Sequence, residues 1–504
     1  MNNDRVFFAP SLTWKISPAT QANFELQYKH SRDPVFQSIP AVKNDPNDLT
    51  SYLPNLPRHT NLLASSSYRE SDDTLLNFNW THAFNEKWKI RNNFYADWTH
   101  TKQSLVNIAD LLADQRTLDR YVFFNDYDTN TYGTSLDLLG EMDTFGIKHN
   151  LLLGTDYFNY EQPETGGSYG YSDIDIYTGQ IVGAAENRNR YYTSGQNEDW
   201  YGVYFQDQMT LPYHFHLLAG FRYDNAVYNF PLTSGSAVPI PAGIYDTQFS
   251  EKNEVVKPRF GLLWQPIKEL SLYGNYVENF GGQNVFNPGP GGIQLKAQTA
   301  SEWEVGIKTE LFDKRLTGSL AWFDLTKQNI PTTDPFNPNF SRLTGEAENQ
   351  GLELDLAGEI VQGLRVIGAY TYIDSEITKD TEDEFGNPIG NQGHAFYNIP
   401  RHGGSLWATY EFQKEFIRGL KVGGGIIARS ERQGNNENTY QLPGYMIGNL
   451  LVSYPYQVGP SKVTLQLNIN NITDETYWAG SQGYFTTNVY GTPRTFLGSI
   501  KVDF

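Results

Sequence analysis

Thr495-Phe-Leu-Gly-Ser-Ile-Lys-Val-Asp-Phe504 ends the chain and alternates residue by residue. Phe496, Ile500, Val502 and Phe504 fall on one face, and Thr495, Ser499, Lys501 and Asp503 on the other. Only a β-strand repeats with a period of two. A terminal strand with one apolar and one polar face fits a soluble sandwich. It also fits a membrane barrel whose outside meets lipid and whose inside meets water.

Composition narrows the choice. Mean hydropathy is −0.52 and 19% of residues are charged. No apolar run reaches the ~18 residues of a membrane helix, which excludes a helical membrane protein. It does not exclude a barrel, because the lumen-facing half of every strand is polar. Aromatic residues make up 14% of the chain, with 33 Tyr, 30 Phe and 10 Trp; Tyr and Trp suit the headgroup level of a bilayer. With no cysteine there is no disulfide framework and no thiolate metal site. The net charge of −19 argues against a nucleic-acid partner, whose phosphates require a basic surface. Met1 leads through Asn2-Asn3-Asp4-Arg5 straight into a strand-like run, so no secretory signal is expected.

The alternation recurs along the chain in segments of about ten residues, the length a tilted strand needs to cross a bilayer. Val463, Leu465, Leu467 and Ile469 share one face; Trp303, Val305 and Ile307 point opposite to Glu302, Glu304 and Lys308. The segments Asn349–Leu356 and Leu76–Phe84 repeat the pattern. Short turns fall at 17–20, 84–87, 265–269, 311–315 and 361–363. Between them lie long polar stretches at 31–72, 100–130, 160–198, 228–254, 280–300, 328–344 and 374–399. Structureless loops of ~20 residues are uncommon in compact soluble domains. Short turns on one side and long loops on the other are the habit of an outer-membrane barrel, which displaces a string of soluble β domains. The segmentation predicts an all-β transmembrane antiparallel barrel with about 19 strands, the first near Val6–Trp14. Bacterial single-chain barrels have even strand numbers, so an odd count predicts that opening strands are missing.

A series of local motifs resembles the TonB-dependent siderophore receptors. They are Leu295-Lys-Ala-Gln-Thr-Ala-Ser-Glu-Trp-Glu-Val-Gly-Ile-Lys308, Gln350-Gly-Leu-Glu-Leu-Asp355, Asn398-Ile-Pro-Arg-His402, Leu442-Pro-Gly-Tyr445, Asn468-Ile-Asn-Asn-Ile-Thr-Asp474 and Tyr490-Gly-Thr-Pro-Arg-Thr495. Leu316–Asn329 adds a further similar strand. The resemblance is strong over 255–504 and looser over 1–254. It implies a bacterial outer-membrane barrel of ~22 strands around an N-terminal plug. It also implies uptake of a ferric siderophore and no resident cofactor. On this reading residues 1–504 are the barrel domain, and the plug, its TonB box and about three opening strands are expected to be absent. TonB is then a partner only if a plug with a TonB box is supplied.

The resemblance also implies the site. Loop aromatics and cations meet ligand at the extracellular face, which singles out Phe286, Phe396, Tyr397, Arg401, Tyr484 and Phe485. Planar rings stack on aryl groups and arginine pairs with an anionic chelate; the simpler role for each ring is packing loop against loop. Phe496 and Phe504 belong to a terminal strand of the kind read by the barrel-assembly machinery, and outer-membrane lipid covers the outer face. Asn470, Asn471 and Asp474 read as turn residues. The nine histidines form no HExxH helix and accompany no nucleophile elbow. His214 and His216 alone do not make a metal site, and an enzyme is not expected. Two other outcomes stay open: a passive pore without a plug, and a non-functional truncated or split-gene remnant.

Overall fold

In the structure, a computed structural model, residues 4–33, 39–42, 53–58, 60–62, 66–185, 189–236, 248–281, 295–333, 341–380, 390–481, 483 and 488–503 are described. Strands β1 (Asp4–Phe8) and β2 (Ser11–Ser17) lie end to end along β3 (Thr20–Asp33), interrupted at Ala9-Pro10. Proline has no N–H to give to a ladder, which accounts for the break. There follow β4 (Tyr68–Ala83), β5 (Trp88–Leu111), β6 (Thr117–Thr144), β7 (Ile147–Asp175), β8 (Arg190–Leu211) and β9 (Phe215–Ser236). Next come β10 (Gln248–Ile267), β11 (Leu270–Gly281), β12 (Gln298–Leu311), β13 (Leu316–Thr333), β14 (Ser341–Val361) and β15 (Leu364–Lys379). The last group is β16 (His402–Glu411), β17 (Lys421–Arg429), the short pair β18 (Arg432–Gln433) and β19 (Gln441–Leu442), then β20 (Tyr445–Val458) and β21 (Ser461–Asn470). A second short pair, β22 (Trp478–Ser481) and β23 (Asn488–Tyr490), precedes β24 (Thr495–Asp503).

Twenty of these strands join one sheet in which each pairs antiparallel with its neighbour. Since β1 and β2 form a single line, nineteen lines run side by side, as the alternation predicts. The short turns also sit where the sequence puts them. A further one, which the sequence reading did not single out, joins β6 to β7 through two residues, Phe145 and Gly146, at φ 51° and 81°. A two-residue turn of type I′ needs positive φ at both positions, and glycine supplies it without strain.

Each strand sends alternate side chains to opposite faces. Outer rows run across the sheet: Leu272, Ile307 and Leu320 in one register, Val305, Trp322 and Leu352 in the next. Aromatic pairs bracket this band, with Phe215 and Trp264 5.7 Å apart near the short turns and Tyr276 and Trp303 4.6 Å apart toward the long connections. From Trp303 to Phe312 the chain runs roughly 30 Å, which a tilt of about 40° reduces to roughly 23 Å of height. That matches the hydrocarbon-facing band of a membrane barrel.

Four of the expected long loops are corrected, two of them in part: 228–254 is paired by β9 and β10 up to Pro231↔Gln248, and 328–344 by β13 and β14 up to Thr333↔Ser341. Residues 100–130 and 160–198 are mostly ladder: β5 and β6 pair as far as Leu111↔Leu118, and β7 and β8 as far as Ser168↔Arg190. These hairpins rise well past the ~10 residues that cross a bilayer. Above the lipid both faces are wet, so the apolar–polar alternation that marks a strand is lost although the backbone bonds continue.

Among the described residues β24 pairs only with β21, and β1 and β2 only with β3, so the sheet has two free edges. The connections nevertheless bring its ends together. Ile39, after β3, exchanges two backbone hydrogen bonds with Asn488, before β24, at 2.8 and 3.1 Å. Tyr490 Oη donates to the carbonyl of Leu56 at 3.0 Å, and Arg58 pairs with Asp474 at 3.0 Å. Around these bonds Ile39, Val42, Leu62, Leu118, Ile174, Ile176, Tyr440, Leu442 and Trp478 form one buried apolar cluster. It therefore draws on five separate connections. Arg120 helps to hold it, donating to the carbonyls of Leu62 and Ser172. Asn471 is a turn keystone, as read from the sequence: its side chain bonds the Glu475 amide and the carbonyls of Glu475 and Thr492.

Two carboxylates at this cluster titrate low. The Arg494 backbone N–H, then the Arg58 side chain, hold Asp474 below the usual carboxylate range. The Arg116 guanidinium, with the amides of Thr178 and Tyr177, lowers Asp175 to about 2. A depressed carboxyl stabilises the fold fully above its unfolded pKa, and the contribution is lost as pH falls through the folded value. Acidification from about pH 4 toward about pH 2 is thus expected to loosen the cluster while the ladders persist. Amide exchange should rise first in 39–42, 53–58, 174–178, 471–481 and 488–494. Equal acceleration in β12–β14 would contradict this.

Candidate functional site

The inner wall carries a chain of charges across five strands. Arg91 on β5 bonds Asp137 on β6 at 2.7 and 3.0 Å, and Asp137 accepts the Tyr204 hydroxyl of β8 at 2.6 Å. Arg222 on β9 lies 5.3 Å from the Tyr204 ring and pairs with Asp156 on β7 through both terminal nitrogens, at 2.6 and 2.9 Å. Its Nε bonds Asp224 at 2.8 Å. Arg222 is therefore fully occupied by two carboxylates and serves as wall rather than as a free cation.

The next strand differs. Lys257 and Arg259 are two apart in Val255-Val-Lys-Pro-Arg-Phe260, so both face the interior beside Arg222 and Gly220. Lys257 lies 3.3 Å from Glu278. Arg259 is exposed and has no ion-pair partner among the described residues. Pro258, between them, cannot donate a backbone hydrogen bond. The β10–β11 ladder begins at Arg259↔Val277, and above it β11 stays paired only with β12, up to Gly281↔Gln298. Where β11 parts from β10, a cavity of about 500 Å³ opens, walled by Trp200, Tyr204, Arg222, Arg259 and Phe280. The rings of Trp200 and Phe280 stack 5.1 Å apart, and Tyr228 meets Trp200 edge-on at 5.6 Å. An unpaired guanidinium beside stacked rings, with paired charges behind it, suits a flat anionic guest.

The sequence reading missed this group because it looked for ligand contacts in loops. The signal was present in Lys257-Pro-Arg259: two cations on one strand face of an acidic chain, with a proline where a ladder bond would be.

The residues the sequence singles out are placed elsewhere or lie outside the description. Phe286, Tyr484, Phe485 and Phe504 lie outside the described residues. Phe396 and Tyr397 are half-buried between β15 and β16, where the Tyr397 amide donates to Asn436 Oδ1 at 3.3 Å and Asn438 bonds both backbone groups of Ala395. Arg401 is exposed, and its guanidinium donates to Asp374 at 2.6 Å. Phe496 faces outward on β24 opposite Ile469. His214 and His216 are held apart in role: His214 lies against the Gln265 carbonyl and His216 beside Thr210. Among the described residues no cluster of His, Asp and Glu has metal-binding geometry.

Known proteins share this architecture. The family described as "TonB dependent receptor-like, beta-barrel" matches residues 11–472. The chain is 29% identical to the metal-pseudopaline receptor CntO of Pseudomonas aeruginosa, aligning over 100% of its own length and 68% of that protein's. It is 26% identical to the ferrioxamine B receptor of Salmonella typhimurium, over 100% of its length and 68% of the relative. Among solved structures, the siderophore receptor PiuA from Acinetobacter baumannii superposes with a TM-score of 0.86 at 20% identity, over 99% of this chain and 74% of that one. The relatives are receptors and transporters rather than enzymes. Nineteen antiparallel lines, an apolar outer band between aromatic rows and a charged inner wall agree with that match: the chain belongs to the TonB-dependent receptor β-barrel family, proteins of the Gram-negative outer membrane.

Proposed function

We propose that this chain is the barrel domain, residues 1–504, of a receptor that takes up a ferric siderophore. The cavity at Arg259 is proposed as part of the path the chelate follows. The observation that carries this is Arg259 itself, an inward-facing cation with no carboxylate partner among the described residues, beside the stacked rings of Trp200 and Phe280. An anionic chelate supplies the missing charge, and its aryl planes match the rings. Phe396, Tyr397 and Arg401, with Phe286, Tyr484 and Phe485, are proposed to meet the ligand earlier, at the extracellular face. Energy coupling requires a plug bearing a TonB box inside this wall. The terminal strand with Phe496 and Phe504 is proposed as the segment the assembly machinery reads.

A second reading has its own support. The similarity to the metal-pseudopaline receptor covers the whole chain at 29% identity, so a metal chelate other than a ferric siderophore is a defined alternative. The test is uptake of radio-iron bound as an anionic ferric tris-catecholate by cells that lack their own receptors and express the full natural protein, with and without TonB. TonB-dependent accumulation supports the ferric reading. Accumulation only of metal-pseudopaline replaces it with the second. Uptake of neither, with new sensitivity to large antibiotics, points to a passive pore. Intact mass from native membranes, against 57.3 kDa for these residues, shows whether plug and closing strands are part of the same polypeptide.

A further inference from the structure

On the outer surface, above the aromatic row, four adjacent strands carry side chains in register that no lipid tail would favour. Tyr28, Thr74, Trp98 and Asn130 align across β3 to β6. The next outward row is His30, Asp72, His100 and Asp128, and the one above it Arg32, Glu70, Lys102 and Asp126. Asp126 extends that third row through Thr165 on β7 to Thr193 on β8. The fourth row is Tyr68, Ser104, Phe124, Gly167 and Tyr191. Small residues thus separate three rings. Phe124 lies over Gly167, where a Cβ would come within 2.8 Å of its ring, and stands 6.0 Å from Tyr191, edge to face. Between the third and fourth rows lies a cavity of about 530 Å³.

This groove has an aromatic floor and a polar edge. Tyr191 is 60% exposed, which is costly for a ring with nothing to cover it. Along the edge, Lys102 and Asp126 stand 3.4 Å apart with Thr165 and Thr193 beside them, a mixed set of donors and acceptors. That combination fits a pyranose, whose C–H face packs on a ring while its hydroxyls bond at the rim. The surrounding charge argues against a bare phosphate: Glu70, Asp72, Asp126 and Asp128 outnumber Arg32 and Lys102, and Lys102 is already paired.

Height identifies the source of the sugar. The groove lies four to six residues beyond Trp98 along β5, roughly 13–20 Å of tilted strand and on the order of 10–15 Å above the aromatic row. It is continuous with the lipid-facing band and points away from the lumen. We propose that this face docks the neutral sugars of the outer-leaflet glycolipid, stacked on Phe124 and Tyr191 and hydrogen-bonded at Asp126, Thr165 and Thr193.

The experiment uses the full-length protein, purified in detergent and stripped of lipid, titrated calorimetrically with core oligosaccharide released from the host's own glycolipid. Saturable binding is expected, weakened at least tenfold by Tyr191→Ala and by Asp126→Asn, each variant still showing a heat-modifiable band. Tyr201→Ala, in the band below, should leave it unchanged. The proposal is overturned if the unaltered protein does not bind the oligosaccharide, or if both variants bind as well as it does. Equal binding of maltoheptaose would overturn the membrane glycolipid as the source.

Discussion

Arg259→Glu is expected to lower affinity for the transported chelate by at least thirtyfold while the barrel still folds. Arg259 is exposed on the inner wall and makes no ion pair among the described residues, so removing it leaves no buried charge behind there. The reversal replaces an attraction to an anionic guest with a repulsion. Losing a desolvated charge partner typically costs about 2–5 kcal/mol, or roughly 30-fold to several thousandfold in Kd. Arg222→Met is the instructive contrast. Arg222 is held by Asp156 and Asp224, so its removal strands two carboxylates and is expected to destabilise the wall by about 3–5 kcal/mol. Equilibrium binding of an anionic ferric tris-catecholate to the purified full-length protein, beside urea unfolding, separates the effects. If Arg259→Glu binds unchanged, the cavity is not on the ligand's path.

Ile307→Arg is expected to block assembly, whereas Lys308→Gln, one residue away, is expected to be nearly silent. Ile307 lies midway between Trp303 and Phe312 on the outer face, between Leu272 and Leu320, and is 40% exposed. An arginine facing lipid at the bilayer midplane costs about 2–4 kcal/mol, a large part of the 5–15 kcal/mol by which a typical fold is stable. Lys308 faces the wet interior, with its ammonium 4.5 Å from the Tyr273 ring; neutralising it forfeits about 0.5–1 kcal/mol. Heat-modifiable mobility of the two variants in outer-membrane fractions reads the difference. Equal assembly would mean that the alternation does not divide lipid from water.

Legibility in the sequence followed the solvent. Where one face of a strand meets hydrocarbon and the other meets water, the residues must alternate, and Val463–Asn470, Glu302–Lys308 and Thr495–Phe504 announce themselves. Beyond the membrane that demand ends. Leu105–Leu111, Thr117–Tyr127, Tyr160–Asp175 and Arg190–Tyr192 look like loop because both of their faces are hydrated, yet they are strands. The apolar cluster was hidden for a related reason. Ile39, Leu118, Tyr440 and Trp478 come from distant segments, and each reads alone as a stray hydrophobic residue in a polar stretch.

The sequence by itself determined the β architecture, the number of crossing lines, the face each residue presents and the places of the tight turns. All of these follow from local periodicity and turn chemistry, which act over a few residues. Tertiary structure alone decided the rest. It joined Ile39 to Asn488, parted β11 from β10 above Pro258, and left Arg259 unpaired while saturating Arg222. It also set Tyr68, Phe124 and Tyr191 in one row. Each of these depends on inter-strand register and on how the sheet curves. Those are set by the sum of many cross-strand contacts, so no single segment of the chain encodes them.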